Sequence, residues 1–197
     1  MSELEILAGI IGSDGHIKKN KYRLLVINKN IKFLNSVVIP LINKVTQKNP
    51  KPLFNHWGRG SGKFFVFFNS EFLWKILQDK FNIPKGKKSS KIKPPDLKTN
   101  KAKIDFLRGW FAGDGSVTTD KSRPRLEIWS NSKEIIFWIK EVLEENQIYP
   151  RIHFAKKTKQ FLLDIKKRES VKTFHKIIEI PHPNKENKLN ALLSDIE

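Results

Sequence analysis

Two aspartates in this chain carry the clearest chemistry. Asp14 falls within Leu7-Ala8-Gly9-Ile10-Ile11-Gly12-Ser13-Asp14-Gly15, and Asp114 holds the same place in Leu107-Arg108-Gly109-Trp110-Phe111-Ala112-Gly113-Asp114-Gly115, one hundred residues later. A single Asp-Gly is an ordinary turn or helix-stop dipeptide. Two of them at the ends of duplicated helices are a different matter. Each carboxylate sits at the negative end of a helix dipole, which disfavours its charge. Two unit charges about 6 Å apart, at an effective dielectric of about 20, repel by roughly 2.8 kcal/mol. A cation between them removes that cost. Carboxylates, backbone carbonyls and water are the donors of a hard cation, Mg²⁺ first. On a strongly basic chain such a pair points to metal-assisted phosphodiester hydrolysis.

The elements that must position the aspartates repeat with them. A β-like run follows each motif, Tyr22 to Asn28 and Pro124 to Ser130. An apolar-periodic helix comes next, Ile31 to Lys44 and Lys133 to Asn146. Further strand regions, Phe54 to Asn69 and Arg151 to Ile165, lead to closing helices that end at Ile83-Pro84 and Ile180-Pro181. The expected fold is α+β, two pseudo-symmetric α-β-β-α-β-β-α halves. Lys85 to Lys103, with Pro94-Pro95 and eight lysines, reads as a linker. It divides the chain into halves at 1–92 and 103–197, joined by 93–102.

Ser2 and Glu5 form a capping-box signal for a first helix over Glu3 to Ser13. Thr99 or Asn100 can cap the second, which ends at Gly113. Gly15 and Gly115 are expected as left-handed C-terminal caps. Gly9 and Ser13, like Gly109 and Gly113, are four apart, so each helix carries a groove of small residues on one face. The two helices are expected to pack through those grooves and bring Asp14 and Asp114 together.

The 197 residues hold 38 Lys and Arg against 20 Asp and Glu, a net charge of +18. That self-repulsion is tolerated most easily beside a polyanion. A membrane surface would favour lysines along one amphipathic helix, whereas here they spread through strand-like segments among aromatics. A merely solvated, lysine-rich surface is the plainer alternative. No Cys is present, which excludes a disulfide scaffold, a thiolate nucleophile, an iron–sulfur cluster and a cysteine zinc finger. No apolar run approaches a membrane span and no secretory signal opens the chain, so a soluble intracellular protein is expected. Neither a P-loop nor a dinucleotide fingerprint appears.

At these residues the chain resembles the LAGLIDADG homing endonucleases in their single-chain form with two motifs. The first motif is close, with Gly12-Ser13 in place of the penultimate Asp-Ala. The second keeps Leu107, Gly109, Gly113, Asp114 and Gly115. The resemblance implies a monomeric endonuclease whose two antiparallel sheets form a saddle over double-stranded DNA at a long asymmetric site. It implies cutting of both strands to leave short 3′ overhangs, and association with an intron or intein. Asp14 and Asp114 would hold Mg²⁺, with Mn²⁺ as a substitute, Ca²⁺ supporting binding alone, and the carbonyls of Ser13 and Gly113 as further ligands. Polar residues at the end of the first long strand, Asn28-Lys29 and Ser130-Asn131, would hold water and phosphate. Asn28 and Asn131 equally suit helix N-caps. Basic loops with Lys87-Lys88 and with Lys185 and Lys188 could reach a scissile phosphate, or simply be solvated.

Strand alternation sorts the DNA readers. Arg23, Leu25 and Ile27 share an outward face in the first half, with Lys21 nearer the hairpin tip. Asn55, Trp57, Arg59 and Lys63 follow on the next strands. In the second half Arg123, Arg125, Glu127 and Trp129 point out, then Arg151, His153, Lys156, Lys157 and Lys159. Arg reads guanine and Asn adenine in the major groove, while Lys mostly positions phosphates. An RNA maturase or a non-cleaving nucleic-acid binder on the same scaffold is the alternative function.

Overall fold

The computed structural model describes residues 2–19, 22–56, 62–88, 90–118, 120 and 124–194. Lys21, Trp57, Arg59 and Arg123 lie outside the described residues.

Helix α1 (Glu3–Asp14) enters β1 (Gly15–Ile17) and β2 (Arg23–Asn28). A continuous helical rod follows, made of α2 (Ile31–Phe33), a π-turn (Leu34–Val38) and α3 (Ile39–Thr46). Pro40 has no N–H for the carbonyl of Ser36, and the ladder widens just before it. Strands β3 (Leu53–Asn55) and β4 (Lys63–Asn69) and helix α4 (Glu71–Asp79) complete the half. The second half repeats this as α5 (Asn100–Asp114), β5 (Gly115–Val117), β6 (Leu126–Ser130), α6 (Lys133–Glu145), β7 (Arg151–Ala155), β8 (Gln160–Ile165) and α7 (Arg168–Ile177). The sheets are antiparallel, ordered β1-β2-β4-β3 and β5-β6-β8-β7. The expected pair of pseudo-symmetric halves is therefore present.

One element exceeds the expectation. Helix α8 (Pro183–Ser194) follows α7, so Lys185 and Lys188 belong to a helix rather than a loop. Its sequence signal is Pro183 at the first position with Leu189 and Leu192 three apart on the buried side.

Helices α1 and α5 form the central seam. A Cβ on Gly9 would lie 2.6 Å from the Trp110 nitrogen, and one on Gly109 would lie 2.8 Å from the Ile6 carbonyl carbon. The glycines thus set a backbone-to-backbone approach that no larger residue permits. Ile6, Leu7, Ile10, Phe106, Leu107 and Phe111 fill the core along that seam.

Three local expectations need correction. The Ser2 hydroxyl donates to the Glu5 carboxylate rather than capping α1, and Glu5 also pairs with Lys80 at 2.7 Å. Gly15 and Gly115 are extended (φ −93° and −73°), because each opens a strand directly. Glycine is required there for space: a Cβ would lie 2.6 Å from Ile11 Cα, or 2.5 Å from a Phe111 ring carbon. The caps of α2 and α6 are Asn30 and Ser132, not Asn28 and Asn131.

The segment between the halves has no regular structure over 91–98, yet it is packed down. Ile92, Pro95 and Leu97 are buried. The Ser132 hydroxyl donates to Ile92 O at 2.6 Å, and Asn82 donates to Pro94 O at 2.6 Å.

Candidate active site and nucleic-acid interface

Asp14 and Asp114 end the paired helices where β1 and β5 begin, and the glycine seam draws them together. A Cβ placed on Gly113 would lie 3.2 Å from the Asp14 carboxyl carbon. Burial raises both carboxyl pKa values from the ordinary aspartate value. Asp114 is pushed up to about 6, by burial first and by the charge of Asp14 second.

The two aspartates are not equivalent. The Asn28 amide donates to Asp14 at 2.7 Å, and its Oδ1 accepts from the Asn30 N–H at 2.8 Å. Ser130, its counterpart, accepts from the Ser132 N–H at 3.1 Å. Among the described residues no side chain donates a hydrogen bond to the Asp114 carboxylate. A serine hydroxyl can replace the acceptor role of Asn28 but is too short for both tasks.

Two lysines complete the centre. Lys88 Nζ donates to Ile11 O, Gly12 O and Ser13 O at 2.7, 2.5 and 2.8 Å. Lys185 Nζ donates to Phe111 O, Ala112 O and Gly113 O at 3.1, 2.7 and 2.6 Å. Each ammonium thus meets the last carbonyls at the negative end of its helix dipole, of which Ile11 O and Phe111 O also accept from the Gly15 and Gly115 N–H. Burial pushes both lysines down to about 8, against the pull of the two aspartates. The carbonyls of Ser13 and Gly113, expected as metal ligands, already accept from these lysines and keep one lone pair each. Among the described residues no cluster of three or more His, Cys, Asp or Glu could hold a metal.

The other expected site residues spread around this centre. Asn131 and Ser130 line a cavity of about 270 Å³ with Asp114, Lys88, Trp129 and Gln160. Lys29, Lys87 and Lys188 are exposed. In the first sheet, Arg23, Leu25 and Asn55 line one open face, while Lys63 is half-buried at the start of β4. In the second, Arg151 and His153 are exposed on β7, with Lys156, Lys157 and Lys159 in the turn to β8. Arg125 and Glu127 form an ion pair at 2.8 Å, and Trp129 donates to Glu127 at 3.2 Å. Asp164 was not anticipated, and it gathers Arg125, Lys166 and His153 at 3.2, 2.9 and 3.5 Å. Phe65 and Phe67 were missed too, because the run Phe64-Phe65-Val66-Phe67-Phe68 hides the period-two alternation.

Residues 101–179 match the LAGLIDADG-like domain. The chain contains a LAGLIDADG-type domain. The whole two-motif arrangement has the fold of the homing endonuclease I-DmoI. Its complex with DNA and Ca superposes with a TM-score of 0.68 at 20% identity, covering 89% of this chain and 88% of that one. The N-terminal LAGLIDADG domain of DUF199/WhiA is also similar, with a TM-score of 0.64 at 16% identity over 90% of this chain and 82% of that one. An uncharacterised protein of Methanocaldococcus jannaschii is 25% identical over 217 residues, covering 99% of this chain and 73% of its own length. The LAGLIDADG scaffold is thus shared with a DNA-cleaving protein. Among the described residues no helix is long and apolar enough to cross a membrane.

Proposed function

We propose that this chain is a site-specific, divalent-metal-dependent endonuclease. It cuts double-stranded DNA to leave short 3′ overhangs, acting as a monomer on a long asymmetric site associated with an intron or intein. The observation that carries this reading is the convergence of Asp14 and Asp114, both with raised carboxyl pKa values, at the paired helix ends. Holding two such groups together is costly without a positive partner.

The donor set suits Mg²⁺ or Mn²⁺. Asp14 and Asp114 would hold the ion, with Ser13 O and Gly113 O offering their remaining lone pairs. Bound there, the ion would supply Lewis-acid polarisation of the phosphate and a lowered water pKa. Asn28 fixes the orientation of Asp14, and Lys88 and Lys185 offset part of the charge on the pair. Ser130 and Asn131, which line the cavity beside Asp114, and Lys29, which follows Asn28 in sequence, would contact water or phosphate. The likeness to I-DmoI, crystallised with DNA and Ca and with DNA and Mn, supports the same use here.

A second reading is a non-cleaving nucleic-acid binder, an RNA maturase included. It is favoured by Lys88 and Lys185, two cations that balance the two aspartates without any metal. One experiment separates the readings. A plasmid library of randomised sites is incubated with protein and Mg²⁺, and linear products are sequenced. Recurrent cut sites, lost with chelator and in Asp14→Asn and Asp114→Asn, support the endonuclease. DNA or RNA binding without any cutting supports the binder.

A further inference from the structure

The two walls of the saddle are chemically unlike. Pairing register places Leu25 opposite Phe67, Ile27 opposite Phe65, and Leu53 beside Phe65 on the outward face of the first sheet. The equivalent positions of the second sheet hold Glu127 opposite Asp164, Trp129 opposite Leu162, and His153 beside Leu162. The first wall is therefore apolar along this strip, whereas the second is mixed, with Glu127, Asp164 and His153 around Trp129 and Leu162. Phe67 is 43% exposed and Leu53 45%. A cavity of about 390 Å³ opens over this apolar strip, with Lys18, Arg23 and Asn55 as the polar part of its lining.

A cation-fringed apolar strip on a nucleic-acid face needs an occupant that offers phosphate around it and apolar surface within it. In the major groove the only apolar group on a base edge is the C5-methyl of thymine. A guanine or cytosine edge against Leu25 and Phe67 would lose water without gaining a hydrogen bond. Unpaired bases stacked on open rings are the less suited occupant. The Arg23 guanidinium already lies 5.7 Å from the Phe67 ring centroid, and Phe65 and Phe67 are stacked at 6.2 Å and 25°. Arg23 thus competes with a base for the Phe67 ring, while Leu25 and Ile27 offer aliphatic surface on which no base stacks.

We infer that the first sheet is a thymine reader: Leu25, Ile27, Phe65 and Phe67 receive C5-methyl groups in the major groove, while the second sheet, with Glu127 and Asp164 in the places of Leu25 and Phe67, receives none. The inference rests on the proposed function only in requiring duplex DNA on the saddle.

The test changes the DNA rather than the protein, so folding is not at risk. Duplexes bound in Ca²⁺ are selected from a random pool, and the selected site is rebuilt with uracil replacing thymine on one side of its centre at a time. Thymines are expected to be enriched on one side. Uracil on that side lowers affinity about fourfold for each buried methyl lost, and uracil on the other side changes nothing. In Phe67→Ser and Leu25→Asn the thymine–uracil difference shrinks. Equal affinity for thymine and uracil on both sides overturns the inference, as does a loss on both sides or tighter binding of single-stranded RNA. A selected and cut site without the difference overturns this inference alone. Failure to select any duplex overturns the endonuclease reading, and this one with it.

Discussion

Lys88 and Lys185 hold the same position in the two halves, each ammonium donating to three successive carbonyls at the end of its own motif helix. One comes from the irregular segment between the halves and the other from α8, so different chain routes deliver the same charge. Both charges act on both aspartates. The centre thus holds two anions and two cations within one half-buried cluster.

Replacing either lysine by Met keeps most of the aliphatic stem and removes the charge. Lys88→Met is expected to push the Asp114 pKa above about 6, because an attractive charge is lost. Carboxyl-resolved NMR titration reads this directly. It also takes the lysine donor from Gly12 O and Ser13 O, while Ile11 O keeps the Gly15 N–H, at a cost of about 1–3 kcal/mol, which thermal denaturation measures. An unchanged titration would mean that Lys88 is too well screened to influence the pair.

Gly109→Ala sets two effects against each other. Helix propensity favours Ala by about 0.5–1 kcal/mol. The added Cβ meets the Ile6 backbone, which cannot move aside as a side chain would. Overpacking of this kind costs about 1–3 kcal/mol, so a lower melting temperature is expected. A rise would show that the seam has slack.

The seam and both sheets were legible in the sequence because each is written in local spacing. Gly9, Gly109 and the small residues four positions on mark one face of a helix, and the alternation of Arg23, Leu25 and Ile27 marks one face of a strand. Other features are tertiary and leave little local trace. That Lys88 and Lys185 turn inward, rather than towards phosphate, depends on where a Pro-rich segment and α8 fold back. The difference between Asn28 and Ser130 shows only when the reach of each side chain to an aspartate is known. Asp164, a lone acid between apolar neighbours, gives no sign in sequence of the arginine, lysine and imidazole around it.

Two groups near the centre give opposite pH responses. His182 stacks on Phe33 at 4.4 Å, and burial pushes it down to about 4. Between about pH 6.5 and 4 the unfolded chain holds a proton that the folded one refuses, so this group lowers stability as pH falls. Asp114, raised to about 6, does the reverse: the folded state holds the extra proton, and stability is lost as pH rises towards 6. In metal-free protein, His182→Phe is therefore expected to flatten the acid-side loss and Asp114→Asn to steepen it. Melting temperatures across this range check both signs. Equal slopes in the two variants would remove both assignments.

The last prediction concerns the unequal support of the two aspartates. Asn28→Ser retains an acceptor for the Asn30 N–H, as Ser130 does for Ser132, and deletes only the amide that donates to Asp14. Without that donor the Asp14 pKa is expected to rise, because the Asn28 hydrogen bond is the foremost influence holding it down. Loss of such an outer-shell partner commonly costs about 10- to 100-fold in metal affinity or activity. Mn²⁺ titration followed by calorimetry reads the affinity, and end-labelled strands read each cut separately. The expected result is weaker metal binding with one strand slowed more than the other, leaving a nicked duplex early in the time course. The reciprocal change, Ser130→Asn, alters a residue that lines the cavity beside Asp114. It is expected to lower the Asp114 pKa and narrow any difference between the strands. If Asn28→Ser slows both strands equally while metal affinity holds, the amide only positions the start of α2 and has no separate hold on Asp14.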